Sequence, residues 1–275
     1  MSRAMSDEPI SYERQTLREF GYANWRGLWT LYLKEVRRFL NVYTQTIIAP
    51  VVTSLLFLAV FQLALGGAGR EVAGVEFAQF LAPGLIMMTM AQNAFANTSS
   101  SLVIAKVQGN IVDLLMPPLS PSEQALGLVG GGVTRGLLVG VAVTAIMWFF
   151  VPFAFHAPLV SIYHAVMASL MLSLLGMVGG IWAEKFDHIA AVTNFIITPF
   201  SFLSGTFYSI ERLPDSAQTL AHLNPFFYMI DGFRYGFIGR SDAPVLLGML
   251  VMAFVNLALW LAVHRMLKTG YRLRM

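Results

Sequence analysis

Six long stretches of nearly unbroken apolar residues alternate with short polar segments, at about 45–65, 80–104, 127–151, 159–183, 189–208 and 244–264. Each is long enough to cross a hydrocarbon core as a helix, which takes roughly 20 residues. Outer-membrane barrel strands are ~10-residue segments of alternating hydrophobicity, and these runs do not alternate. The pattern predicts an all-α integral membrane protein with six transmembrane helices. It divides into an N-terminal segment at 1–44, a six-helix domain at 45–266 and a basic tail at 267–275.

Three further segments are patterned but are not spans. Over 23–40, Trp25, Leu28, Trp29, Tyr32, Val36, Phe39 and Leu40 fall within about 120° of a helical wheel, with Arg26, Lys34, Arg37 and Arg38 opposite. A basic face against a Trp-rich face predicts an interfacial amphipathic helix lying among the headgroups. Two roles are open for it: an elbow passing motion into the first span, or an anchor fixing that span's depth. In the loop at 105–126, Asn110 stands where it would cap a short helix with Ile111, Leu114 and Leu115 on one side and Asp113 on the other. Pro117 and Pro118 end that helix, because proline lacks the amide donor and clashes with the preceding turn. The helix is either a docking element for a cytoplasmic partner or a loop whose leucines rest on the membrane.

The third segment, 209–242, is apolar but unlike a span. Its stretch 225–239 reaches only about 22 Å as a helix, and it contains Asp231 and Arg234. A mid-membrane charge costs at least ~2.5 kcal/mol on insertion scales. Their i, i+3 spacing predicts that the two pair. Asn224-Pro225 separates two short helices, at 214–222 and 225–238, so the segment reads as a re-entrant helical hairpin that dips in from the outer side before the last span.

Composition excludes the main alternatives. Of 275 residues, 56% are hydrophobic and 12% charged, against roughly 25% charged in soluble domains. This is too little charge to coat a soluble enzyme, and a net charge of +3 gives no broad face for nucleic acid. Without cysteine there is no disulfide, thiolate metal site or cysteine nucleophile. The N-terminal 44 residues carry charges throughout and do not read as a cleavable signal. With six spans, both termini share a side with Arg3, Arg14, Arg18, Arg26, Lys34, Arg37, Arg38, Lys106, Lys185, Arg265, Lys268, Arg272 and Arg274. The other side has Arg70, Arg212, Arg234 and Arg240. The positive-inside rule then makes both termini cytoplasmic.

No Asp or Glu lies inside a span, which weighs against an ion-coupled carrier. Neutral polar residues form two stripes instead: Thr89, Asn93, Asn97 and Ser100 on the second span, and Asn194, Thr198, Ser201 and Gly205 on the fifth, where Pro199 predicts a kink. Such stripes either pack helices together or line a translocation path. Arg135, about 12 Å inside the third span, is expected to snorkel to the headgroups or to meet helix-end carbonyls. The histidines lack metal-site spacing, so no metal is expected, and Ser204-Gly205 lacks the Gly two residues before the serine that an intramembrane protease shows. No Gly-x-x-x-x-Gly-Lys-[Ser/Thr] occurs, so any ATP that drives the protein must bind another chain.

Two stretches carry a family resemblance. One is Gly109-Asn-Ile-Val-Asp-Leu-Leu-Met-Pro-Pro-Leu-Ser-Pro-Ser-Glu123 followed by Gly127. The other is Phe202-Leu-Ser-Gly-Thr-Phe-Tyr-Ser through Leu213-Pro214 to Leu223-Asn-Pro-Phe226 and Asp231-Gly-Phe-Arg234. From about Trp25 onward, the chain resembles the permease subunit of an ABC type-2 exporter. The resemblance implies that 110–116 is a coupling helix seated on a separate ATPase subunit, with Gly109, Asn110, Ile111, Asp113, Leu114, Leu115, Pro117 and Pro118 at the contact. It implies that 23–40 is a connecting helix, with Trp25, Trp29, Lys34, Arg37 and Arg38 at the membrane surface. It further implies that 214–238 is the outer re-entrant element, around Asn224, Pro225, Asp231 and Arg234. Two permeases, as a homodimer, would pair with two ATPases that hold the ATP and magnesium, so this chain itself binds no cofactor. The setting implied is a bacterial inner membrane, and the cargo a lipid-linked saccharide, a polysaccharide or a drug. The rival readings are a secondary carrier or channel working without an ATPase, and an intramembrane hydrolase.

Overall fold

The computed structural model describes residues 23–65, 71–72, 74–210 and 214–273. Arg3, Arg14, Arg18, Arg70, Arg212, Leu213 and Arg274, named above for the charge bias and the resemblance, lie outside them. Helix α1 (Trp25–Leu40) leads through a π turn (Thr44–Ile48) into α2 (Ala49–Leu65). A two-stranded antiparallel hairpin, β1 (Glu71–Val72) and β2 (Val75–Glu76), precedes the long α3 (Phe77–Val107). The short α4 (Ile111–Leu115) joins α3 to α5 (Pro121–Met147), and α6 (Pro158–Trp182) follows. Next, α7 (Phe186–Val192), a π turn (Thr193–Ile197) and α8 (Thr198–Phe202) run on as one helical segment. The chain closes with α9 (Asp215–Leu223), α10 (Pro225–Ile238) and α11 (Val245–Thr269).

Four of these segments are long and apolar enough to cross a membrane: Thr44–Ala64, Pro121–Met147, Pro158–Trp182 and Val245–Thr269. The other two expected spans differ from them. Helix α3 has 31 residues, but Thr89, Gln92, Asn93, Asn97, Thr98 and a run of three serines dilute its apolar character. The fifth helical segment ends at Phe202 rather than near 208, because the chain turns at Gly205, whose φ of +74° suits glycine. The π turn lies just before Pro199, which leaves the Phe195 carbonyl without its α-helical donor.

The helix ends follow their sequences. Ser120 and Glu123 form a capping box at the start of α5, with Pro121 in the first turn. Asn224 caps α10, accepting from the Phe226 amide at 3.0 Å. Helices α3, α5 and α6 form the centre. There Gly132 and Gly136 of α5 leave room for Thr98, Ala94 and Met90 of α3 and for Ser173 and Ser169 of α6, and Gly176 and Gly180 of α6 lie against the backbone of α3. Small residues let membrane helices approach this closely. One apolar cluster gathers α3, α5, α6 and α10 around Phe80, Met87, Phe227 and Ile230. A second, at the end that carries α4, joins Leu31, Leu102, Ile111, Leu114, Leu128, Ile181, Val263 and Leu273.

Candidate functional site

Helix α4 comes first because its residues were expected to face a partner. Its apolar side turns the other way. Ile111 and Leu114 are 2% and 7% exposed and belong to the protein's own second cluster. The outward residues are Val112 and Met116, 55% and 74% exposed, beside exposed Asp113, Pro117 and Pro118, with Leu115 half-buried. The expectation that Ile111 and Leu114 form an outer docking face is therefore corrected. They hold α4 to the bundle, since burial is the more favourable end for an isoleucine with room beneath it. The Asn110 side chain makes no capping bond. The turn into α4 rests instead on Gly109, at φ +74°, and on the Asn110 amide donating to Ala105 O at 2.8 Å.

The proline-rich stretch after α4 is fastened to the start of α1. The Glu123 carboxylate accepts from the Ser120 amide at 2.6 Å and from the Asn24 amide at 2.5 Å. Asn24 Nδ2 donates to Pro118 O at 3.3 Å, while its Oδ1 accepts from the Gly27 amide at 3.0 Å and caps α1. Leu119 packs so closely on Gly27 that a Cβ there would meet it at 2.9 Å. The two hydrogen bonds from Ser120 hold the Glu123 carboxyl below the ordinary carboxylate range, against an opposing effect of burial, and the bond from Asn24 adds a smaller lowering. The sequence carried this signal as Ser120-x-x-Glu123, though not the reach to Asn24.

Helix α1 has three faces, not two. Trp25, Trp29 and Leu40 are exposed and apolar, and Arg26, Lys34 and Arg37 are not enclosed either. Leu31, Glu35 and Phe39 are buried against the bundle, so Phe39 leaves the arc expected to face lipid. Arg38 likewise does not stand free beside Lys34 and Arg37. It pairs with fully buried Glu35 at 2.8 Å, and donates to Asn97 O at 2.7 Å, Asn97 Oδ1 at 3.1 Å and Ser100 Oγ at 3.3 Å. Ser101 Oγ donates to the other Glu35 oxygen at 2.7 Å, and the Tyr32 and Thr134 hydroxyls meet at 2.9 Å. Glu35 was missed. Its place in the row Leu31, Glu35, Phe39, three residues before Arg38, is the pattern that marks it.

The polar stripe of α3 is taken up by neighbouring helices. Thr89 meets Ser54 of α2 at 2.7 Å, Asn93 accepts from Arg135 of α5 at 2.8 Å, and Asn97 and Ser100 receive Arg38. Arg135 therefore neither snorkels nor caps a helix end. The second stripe does not stay together: Asn194 is exposed, Thr198 half-buried and Ser201 buried, bonding back to Ile197 O at 2.7 Å.

At the far end, Asp231 and Arg234 do not pair directly, and that expectation is also corrected. Asp231 accepts from the Asp242 and Ala243 amides at 2.9 and 3.1 Å, which ties the start of α11 to α10. Arg234 donates to Phe80 O at 3.2 Å and Gly205 O at 2.7 Å, and its guanidinium lies 3.9 Å from the Phe80 ring centre. Each charge is satisfied by backbone groups of other segments, so a direct ion pair would cost those bonds. Asn224 Nδ2 donates to Ser204 Oγ at 2.9 Å and Phe200 O at 3.1 Å, which ties the start of α10 to the end of α8. Where α3 ends, Lys106 Nζ donates to Ile181 O and, at 3.0 Å, to Ala183 O, while Arg272 reaches Trp182 O at 3.0 Å. Burial pushes the Lys106 ammonium below its ordinary range, with Glu184 opposing.

A bundle with several helices apolar and long enough to cross a bilayer defines a membrane protein, and the chain belongs to the ABC-2 type transporter family, which it matches over residues 26–238. It is a transmembrane permease of ABC type. Among relatives, it is 41% identical to the inner membrane transport permease YadH of Escherichia coli (strain K12) over 250 residues, 91% of this chain and 98% of YadH. It is 25% identical to nodulation protein J of Rhizobium leguminosarum bv. viciae over 233 residues, covering 82% of this chain and 87% of that protein.

Proposed function

We propose that this chain is the membrane half of an ATP-driven exporter in a bacterial inner membrane. It would span six times, with both termini cytoplasmic. In this reading α1 lies among the headgroups, while α9 and α10 form a re-entrant pair. ATP and magnesium belong to two copies of a separate ATPase, each seated on one permease of a homodimer. The cargo class is a lipid-linked saccharide, a polysaccharide or a drug. Asn194 favours a second permease copy. It is an exposed amide followed by exposed Phe195 and Ile196 on an apolar segment, and polar side chains in membrane helices turn toward protein or water.

The observation that carries the reading is the join of the stretch just after α4 to α1 through Glu123, Asn24, Leu119 and Gly27. A push on exposed Val112 and Met116 reaches α1 without passing through the bilayer. From α1 it reaches α3 through Arg38, and α2 through Thr46, whose hydroxyl donates to Phe39 O at 2.8 Å. ATP-driven closure of the ATPases would move these elements nearly as rigid bodies and open a route between permeases. The test is affinity purification of the tagged permease from its own cells, with associated ATP hydrolysis as the readout. Val112→Asp with Met116→Asp should cut the hydrolysis recovered by more than about tenfold at unchanged permease yield. Undiminished ATPase recovery with the double variant would overturn the docking assignment.

A further inference from the structure

Arg135 is the charge on α5 that the packing leaves unbalanced. Arg38 already takes the one buried carboxylate of this seam, Glu35. Of the two guanidinium groups where α1, α3 and α5 meet, only Arg38 touches that carboxylate, and Arg135 is left to the amide oxygen of Asn93. The remaining neighbours are neutral: Asn93, Asn97, Ser100, Ser101, Tyr32 and Thr134. Arg135 Nη2 donates to Asn93 Oδ1, while its buried Nε has no acceptor. A second donor in the seam, the Nδ2 of fully buried Asn97, also lacks an acceptor. The seam is thus rich in donors, short of acceptors, and positive by one charge. An ionisable side chain inside a membrane helix marks a functional site by default, and a guanidinium with free N–H groups is shaped for the oxygens of phosphate or carboxylate.

We propose that Arg135 is an anion-binding centre, and that its ligand is the anionic oxygen headgroup of a membrane amphiphile. The position selects the source. Arg135 lies about 12 Å past the start of its apolar run, so a free inorganic anion would give up its hydration with no apolar burial in return. An amphiphile keeps its tail in the hydrocarbon as its head enters the seam. Taken with the exporter reading, on which this clause alone rests, Arg135 favours cargo that carries a negative head on a lipid-like tail.

The test needs no ATPase, so its failure is separate from failure of the exporter reading. Full-length permease in phosphatidylcholine nanodiscs is titrated with dodecyl phosphate and, separately, with inorganic phosphate, reading the thermal midpoint and the dissociation constant. Wild type should bind dodecyl phosphate and melt higher with it, while inorganic phosphate at the same concentration leaves the midpoint unchanged. Arg135→Gln should weaken binding at least about tenfold, and Arg135→Lys should fall between. Asn93→Asp guards against a merely misfolded variant. It gives Arg135 an internal carboxylate while giving up the Asn93 Nδ2 bond to Thr89 O at 2.9 Å, so the unliganded midpoint should stay near that of wild type while the response to dodecyl phosphate disappears. Wild-type affinity in either Arg135→Gln or Asn93→Asp overturns the site, and an equal shift with inorganic phosphate overturns the amphiphile as its ligand.

Discussion

Glu123 closes the cap of α5 with one oxygen and holds the first turn of α1 with the other. Glu123→Gln should cost ~1 kcal/mol, the usual worth of a capping interaction, seen as a lower thermal midpoint. Ser120→Ala should cost about the same. The double variant should cost less than their sum, because both act on one cap. The pH dependence has a definite sign. The folded carboxyl sits below its ordinary pKa, so its contribution is complete above the unfolded value and is lost as pH falls through the lowered one. Stability of Glu123→Gln should accordingly fall less on acidification than that of wild type. Gly131 is a second sensitive residue, since a Cβ there would run into the Glu35 side chain. Gly131→Val should destabilise by about 1–3 kcal/mol, the usual cost of overpacking.

At the scale of elements, α2 is held to α3 by the Ser54–Thr89 hydroxyl pair at 2.7 Å. The chain has no cysteine of its own, so Ser54→Cys with Thr89→Cys forms a unique thiol pair. Mild oxidation should protect both thiols from maleimide, and full labelling after oxidation would contradict the α2–α3 contact. Helix positions were legible because membrane-length apolar runs admit few alternatives; α6 (Pro158–Trp182) and α11 (Val245–Thr269) lie within a few residues of their runs. Partner choice was not legible. Periodicity puts Asn93 and Asn97 on one face of α3, but not opposite Arg135 and Arg38, which are 42 and 59 residues away. The same limit misassigned α4. Five residues give an apolar side and a polar side, and whether the apolar side meets the chain's own core or a partner depends on Leu31, Leu102 and Ala125.

At the scale of the molecule, the proposed topology makes an asymmetric forecast. A cysteine replacing Met116 should react with an impermeant maleimide only from the cytoplasmic face, and one replacing Arg240 only from outside. Labelling of both from one face would rule out an arrangement that sets the clamped end of α4 opposite the Asp231–Arg234 end. Purified without other subunits, the permease should neither hydrolyse ATP nor drive flux into liposomes. ATP-independent flux would favour a carrier or channel. Composition made the membrane class legible, while the fifth helical segment ends at Phe202, short of the end of its apolar run, because the turn at Gly205 acts on the backbone and leaves no mark in hydrophobicity.

The carbonyls at the end of α6 are met by Lys106, at Ile181 and Ala183, and by Arg272, at Trp182. These two cations leave the ribosome far apart in time, Lys106 before α6 exists and Arg272 after α11 is complete. A nascent chain can therefore seat the first once α6 has been made, while the second can reach Trp182 only after α11 has been made and folded back, so closure at Trp182 waits for α11.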